Sequence, residues 1–273
     1  MITRRFAAIV FATLFLSQPV QSGVTVTVNG NTLVADISLA NGIGADLTLE
    51  FESAIGLTAS SVGISADLIS RLDTSLLTRL PDGLVSVPGV FPLLITIEPP
   101  SDQALSFSGP VTIDLHTHNL VYTNHSPYRL MKAPLGGDFY DFTQSLGAGS
   151  VRSRGRTGGF SQFLIAVDLR DYATVVDDKY ADLSAWVTDP AIPKTLVSQL
   201  QAKVSASEAA RDAGNYIAAS DRISELISLV ESNAGSSIPN VWRSARDLNN
   251  VAGELVGRAA SLKFSLMLEH TAP

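Results

Sequence analysis

The chain of 273 residues contains no cysteine. That absence excludes a disulfide scaffold, a thiolate metal site, a thiol nucleophile and a thiol-anchored lipoprotein. Charge is also scarce, at 16% of residues against 45% hydrophobic. Intrinsic disorder needs the opposite balance and is excluded. Lys and Arg (19) are outnumbered by Asp and Glu (26), for a net charge of -7. Nucleic-acid binding needs clustered cations facing phosphates, so the acidic balance argues against a nucleic-acid partner. Beyond the first 22 residues no stretch approaches the ~20 apolar residues of a membrane-spanning helix. The sequence also lacks a Gly-x-Ser-x-Gly elbow, a Gly-x-x-x-x-Gly-Lys-Ser/Thr phosphate loop and a Gly-x-Gly-x-x-Gly fingerprint. No catalytic residues are therefore assigned, and a non-enzymatic protein is expected.

The start of the chain carries a targeting pattern. Arg4 and Arg5 precede an apolar run from Phe6 to Leu16, followed by Pro19 and then Val20-Gln21-Ser22. The run is too short to span a bilayer and predicts a signal peptide over residues 1–22, cleaved near Ser22. An uncleaved anchor is the other reading. The expected product is secreted or periplasmic, with no transmembrane anchor after signal removal.

Two periods divide the remainder. From Gly23 to Arg170 apolar residues alternate. Val24, Val26 and Val28 lead through Asn29-Gly30 to Leu33, Ala35, Ile37 and Leu39, which predicts a hairpin. A third strand points Leu47, Leu49 and Phe51 inward and Asp46, Thr48 and Glu50 outward. Phe163-Leu164-Ile165-Ala166-Val167 is apolar on both parities and is expected at the centre of a sheet. It is expected to pair with Val151–Arg156 around Thr157-Gly158-Gly159. About nine short strands predict an antiparallel β-sandwich over residues 23–170. From Asp171 apolar residues recur at three- and four-residue steps. The pattern predicts helices at Val175–Trp186, from Ile192, from Tyr216, and from Ile238 through Trp242 to Leu262. The fold class is α+β with two segregated parts, the second an antiparallel three- or four-helix bundle over residues 171–273.

Local motifs add two resemblances. Phe107-Ser108-Gly109-Pro110-Val111, Asp138–Thr143 and Gly159-Phe160-Ser161-Gln162-Phe163 resemble strands of ZU5-like sandwich domains. Self-cleaving members of that superfamily activate a Ser with a neighbouring His. Gly159 stands where that His would be, so the resemblance implies a scaffold or interaction domain here. The pattern Leu200…Ala209-Ala210…Gly214-Asn215…Leu226-Ile227…Gly235 resembles the FIMAH modules of secreted bacterial surface proteins, which carry no known catalytic residues. Together the halves resemble an uncharacterised secreted bacterial protein family. The resemblance implies a binding or interaction role, with another exported protein or a cell-surface component as partner.

Three constellations are candidates for chemistry. Asp114, His116 and His118 share one strand face, and a His-x-His pair with a carboxylate suits Zn²⁺ or another divalent metal. His125 in the next loop is a further candidate ligand. A solvated polar face gives the same pattern without any cofactor. Arg152, Arg154 and Arg156 share another face, where planar guanidinium groups suit a sulfate, a phosphate or an acidic glycan. Arg129 and Lys132 are expected nearby, and Asp138 and Asp141 are expected to neutralise the row. Trp186 and Trp242 fit core packing or the domain junction, with sugar stacking as the alternative.

Overall fold

The computed structural model describes residues 23–70 and 72–272. The expected signal peptide lies outside the described residues. The first half contains β1 (Gly23–Asn29), β2 (Thr32–Ser38), β3 (Gly44–Ile55), β4 (Ile64–Leu68), α1 (Thr74–Leu77), β5 (Val85–Ser86) and β6 (Leu93–Ile97). It continues with β7 (Ser106–Val121), β8 (Tyr128–Ala133), β9 (Tyr140–Asp141), β10 (Ser145–Gly147), β11 (Ser150–Thr157) and β12 (Gln162–Asp168). Then come α2 (Tyr172–Trp186), α3 (Lys194–Asp212), α4 (Tyr216–Asn233), β13 (Val241–Arg243) and α5 (Val251–His270).

The strands form two antiparallel sheets. A seven-stranded sheet runs β1-β2-β3-β7-β11-β10, with β13 also on β7. A six-stranded sheet runs β4-β6-β12-β8-β9, with β5 on β12. Gly30, at φ 58, makes the two-residue turn between β1 and β2. Only a residue without Cβ adopts that conformation freely. Alternation then sends Leu33, Ala35, Ile37, Leu47, Leu49, Ile113 and Leu115 into the space between the sheets, where Ile95, Leu130, Phe163 and Ile165 meet them. Each fully buried Leu, Ile or Phe contributes about 1.5–3 kcal/mol. The second sheet is covered on its other face as well, where Leu76 and Leu80 of the α1 region pack on Met131, Leu164 and Ala166. This explains why β12 is apolar on both parities and sits between β6 and β8.

Two expectations are corrected. β11 and β12 do not pair with each other. They belong to different sheets, and Gly158-Gly159 carries the chain across the gap between them. The helix expected from Ile238 does not form before Val251, because Val241-Trp242-Arg243 adds as a strand to Ser106–Ser108 of β7. Its position in line with β11 makes the helical half complete the first sheet.

Helices α2 to α5 share one core, with Val176, Leu183, Leu200, Ile223, Leu226, Leu255 and Leu262 fully buried. Asp171 caps α2 by accepting from the Thr174 N–H at 2.8 Å. Asp177 and Asp178 therefore lie in its second turn rather than at its start, and they pair with Arg211 and Arg170. Among the described residues no helix is long and apolar enough to cross a membrane. Asn250 both caps α5, accepting from the Gly253 N–H at 2.8 Å, and donates to the Gly109 carbonyl of β7 at 2.6 Å. Asn250→Ala removes both links and is expected to cost about 1–2 kcal/mol, read as a lower urea midpoint.

Candidate functional site

The junction between sheets and helices is built on one face of α5. Gly253, Gly257, Ser261 and Ser265 recur every four residues on this helix. Small residues at one-turn spacing let a helix backbone approach its neighbour closely. A Cβ at Gly257 would stand 2.1 Å from the Arg156 carbonyl oxygen, and one at Gly158 would stand 2.3 Å from the Asn250 carbonyl oxygen.

This close approach buries two ionic groups. Glu254 Oε1 accepts from Lys132 Nζ at 2.7 Å, from Thr157 Oγ1 at 2.8 Å and from the Gly158 N–H at 3.2 Å. Burial pushes the Glu254 carboxyl up, but Lys132 and Arg258 outweigh it and hold the group below its ordinary value. Burial likewise lowers the Lys132 ammonium, and Glu254 more than restores it. In the second group, Asp141 receives Lys179 Nζ at 2.7 Å, with Arg129 Nε at 4.0 Å. Lys179 also donates to the hydroxyls of Ser261 and Ser265. Burial raises Asp141, but Lys179 and Arg129 bring it below its ordinary value. Lys179 itself is held low, because burial exceeds the help from Asp141. The geometry, a close pair with two further hydroxyl acceptors, is that of a charged ammonium and carboxylate.

Above the first group opens a cleft of about 380 Å³. Its lining comes from both halves: Ile97, Glu98, Lys132, Leu135, Tyr140, Phe160 and Ser161 from the sheets and their loops, and Trp186, Trp242, Arg246, Glu254 and Arg258 from the rest. The Arg258 guanidinium lies between two rings, 4.3 Å from the Tyr140 centroid and 4.5 Å from that of Trp186. It donates to Asp182. Its buried Nε has no hydrogen-bond partner among the described residues. A buried donor without an acceptor is costly, so this N–H is a polar group the fold leaves unsatisfied beside the cleft. Trp242 stacks on Phe107 at 5.3 Å and meets Phe160 edge-on at 5.2 Å. The Ser161 hydroxyl donates to the Ala133 carbonyl.

The three constellations read from the sequence end up in different places. His116 and His118 stay on the solvent face of β7, but their carboxylate neighbour is Asp46 of β3. Its Oδ2 lies 3.3 Å from His116 Nδ1 and 3.0 Å from His118 Nε2. Asp114 shares their face but is taken by the arginine row, with Arg154 on Oδ2 at 2.7 Å and Arg152 on Oδ1 at 3.3 Å. His125 lies in a turn outside the cluster, at φ 56. Arg156 donates to Gln144. The carboxylate that pairs with the row is thus Asp114 of its own sheet, not Asp138, which is exposed, or Asp141. Arg129 and Lys132 belong to the other sheet and are buried at the junction. Sequence reasoning placed Asp46 outward on its strand but had no register to set it opposite His116. It passed over Glu254 and Arg258, whose only signal is charge on an otherwise small and apolar helix.

These features define a class of two-part proteins, in which antiparallel sheets and a helical layer meet over a polar junction with an aromatic cleft. The chain belongs to the family described as a family of unknown function (DUF6689), whose model matches residues 6–269. No curated protein matched the chain.

Proposed function

We propose that the chain is an exported, non-enzymatic binding protein whose ligand lies in the junction cleft. The observation that carries this reading is the cleft itself, which gathers both tryptophans of the chain with Tyr140, Arg246 and Arg258 between the two halves. A volume of about 380 Å³ suits a small ligand or one or two residues of a longer one. Aromatic side chains set beside polar ones suit a ligand with an apolar face and oxygen acceptors, the chemistry of a sugar unit on a glycan. Export is supported by the leader pattern of residues 1–22. A scaffold role is supported by the ZU5-like and FIMAH-like resemblances of the sheet and helical halves, the latter read as an antiparallel bundle. The partner expected is then a cell-surface component or another exported protein that carries such a group. The Ser161 hydroxyl, committed to a backbone carbonyl, fits a chain that does not cut itself.

Tryptophan fluorescence tests the reading directly, because both indoles line the cleft. Titration with neutral and acidic oligosaccharides is expected to give a saturable change in emission. Trp186→Phe is expected to reduce the amplitude, and Arg258→Lys to weaken affinity about tenfold or more through loss of the planar donor set. A flat titration with every saccharide, or equal binding by Arg258→Lys, would remove the cleft as the binding site.

A further inference from the structure

A second site lies on the solvent face of the seven-stranded sheet and goes beyond the reading just given. We propose that Asp46, His116 and His118 bind one divalent transition-metal ion, with Zn²⁺ the best fit to two imidazoles and a carboxylate. The site is set by sheet register. Alternation places His116 and His118 on one face of β7, and antiparallel pairing brings Asp46 opposite His116. The three ligand atoms all lie within 4.8 Å of one another. Donors around a tetrahedral zinc with bonds of ~2.0–2.1 Å stand ~3.3 Å apart. Two of the three separations, 3.3 and 3.0 Å, are already of that size.

Three further observations favour a cation there. Asp36 of β2 lies directly opposite Asp46 in register. Like charges opposed across strands repel, and a bound cation relieves that repulsion. The arginines of the neighbouring strand, Arg152 and Arg154, pair with Asp114 and leave Asp46 to the two histidines. The loop beside His118 is shaped for its ring. A Cβ on Gly44 would stand 3.1 Å from His118 Nδ1, and Asn119 holds the loop by accepting from the Gly44 N–H and donating to the Gly42 carbonyl, both at 3.0 Å. The three side chains are 32%, 48% and 39% exposed for His116, His118 and Asp46, so an ion can enter from solvent and keep water in its remaining positions. Each imidazole gives the lone pair of the nitrogen facing Asp46 and carries its proton on the other ring nitrogen.

Calorimetric titration of the metal-free full chain with ZnCl₂ tests the proposal. At neutral pH one Zn²⁺ per chain is expected, with a rise in Tm that grows with free metal. His116→Ala with His118→Ala, and separately Asp46→Asn, are expected to lose more than the ~10–100-fold that removal of an outer partner costs. Exposed positions make these variants tolerable to the fold, which circular dichroism checks. His125→Ala and His270→Ala are expected to bind like the parent. No saturable zinc site in the parent chain overturns the proposal, as does unchanged affinity in either the double-histidine or the Asp46 variant. Neither result touches the cleft, which the saccharide titration reads separately.

Discussion

Glu254→Gln is expected to lower folding stability by about 3–5 kcal/mol at neutral pH, the usual cost of removing one partner from a buried ion pair. The side chain keeps its shape and one acceptor oxygen, so packing changes little. The charge that compensates buried Lys132 is lost, and among the described residues Lys132 has no other carboxylate in hydrogen-bond contact. Replacing both, with Lys132→Met added to Glu254→Gln, is expected to recover part of the loss, because the second change removes the stranded charge. Urea unfolding of the parent, both single variants and the double variant measures the coupling. A double variant that loses the full sum of the single losses would contradict the account.

The same pair sets a pH dependence with a definite sign. The folded-state value of Glu254 lies below its ordinary one, so the unfolded chain binds the proton first as pH falls. The pair's contribution is therefore complete above the ordinary glutamate range and disappears as pH drops through the lower folded-state value. Asp141 acts in the same direction, and Asp182, which burial raises, acts in the other. The difference in stability between parent and Glu254→Gln isolates the first group. It is expected to be constant from neutral pH to about pH 5 and to shrink below the ordinary glutamate pKa of ~4.3. A difference that grows on acidification would show that Glu254 is not held as a charged group.

The second large effect is expected from Gly257→Ala. The added methyl would stand 2.1 Å from the Arg156 carbonyl oxygen, a backbone atom that cannot swing away as a side-chain tip can. Either α5 moves off β11 or the strand bends. Each response loosens the Lys132–Glu254 and Lys179–Asp141 groups together. A loss of at least about 3 kcal/mol is expected, at the upper end for overpacking. Gly83→Ala, whose Cβ would meet open space without a positive φ, is the control and is expected to be nearly neutral. Thermal unfolding distinguishes the two. Equal melting temperatures for Gly257→Ala and the parent would mean that the helix does not sit so close to the strand.

Much of the fold was legible because burial leaves a period. The β1–β2 hairpin, the central position of β12 and the helices α2, α3 and α4 all follow from two-residue or three-to-four-residue spacing. The strand β13 was not legible. It is only three residues long, and Trp242, Ala245, Leu248 and Ala252 imitate a helical stripe by accident of spacing. Gly158-Gly159 looked like a hairpin turn because the same glycines serve equally for a crossing between sheets. At the histidine cluster the alternation of β7 was readable, but the choice between Asp114 and Asp46 depends on cross-strand register and on where the arginines of β11 reach. The cleft left no pattern of its own, since its walls come from segments far apart in the chain.

The late arrival of β13 has a consequence for biosynthesis. Until Val241–Arg243 emerges, the backbone groups of Ser106–Ser108 that face it stay unpaired, although β3 already covers the other side. A nascent chain truncated before that point presents an open edge to its neighbours, and unpaired edges template intermolecular association. Fragments ending near residue 170 should therefore aggregate where the complete chain does not. The closing strand thus protects an edge laid down far earlier in the chain.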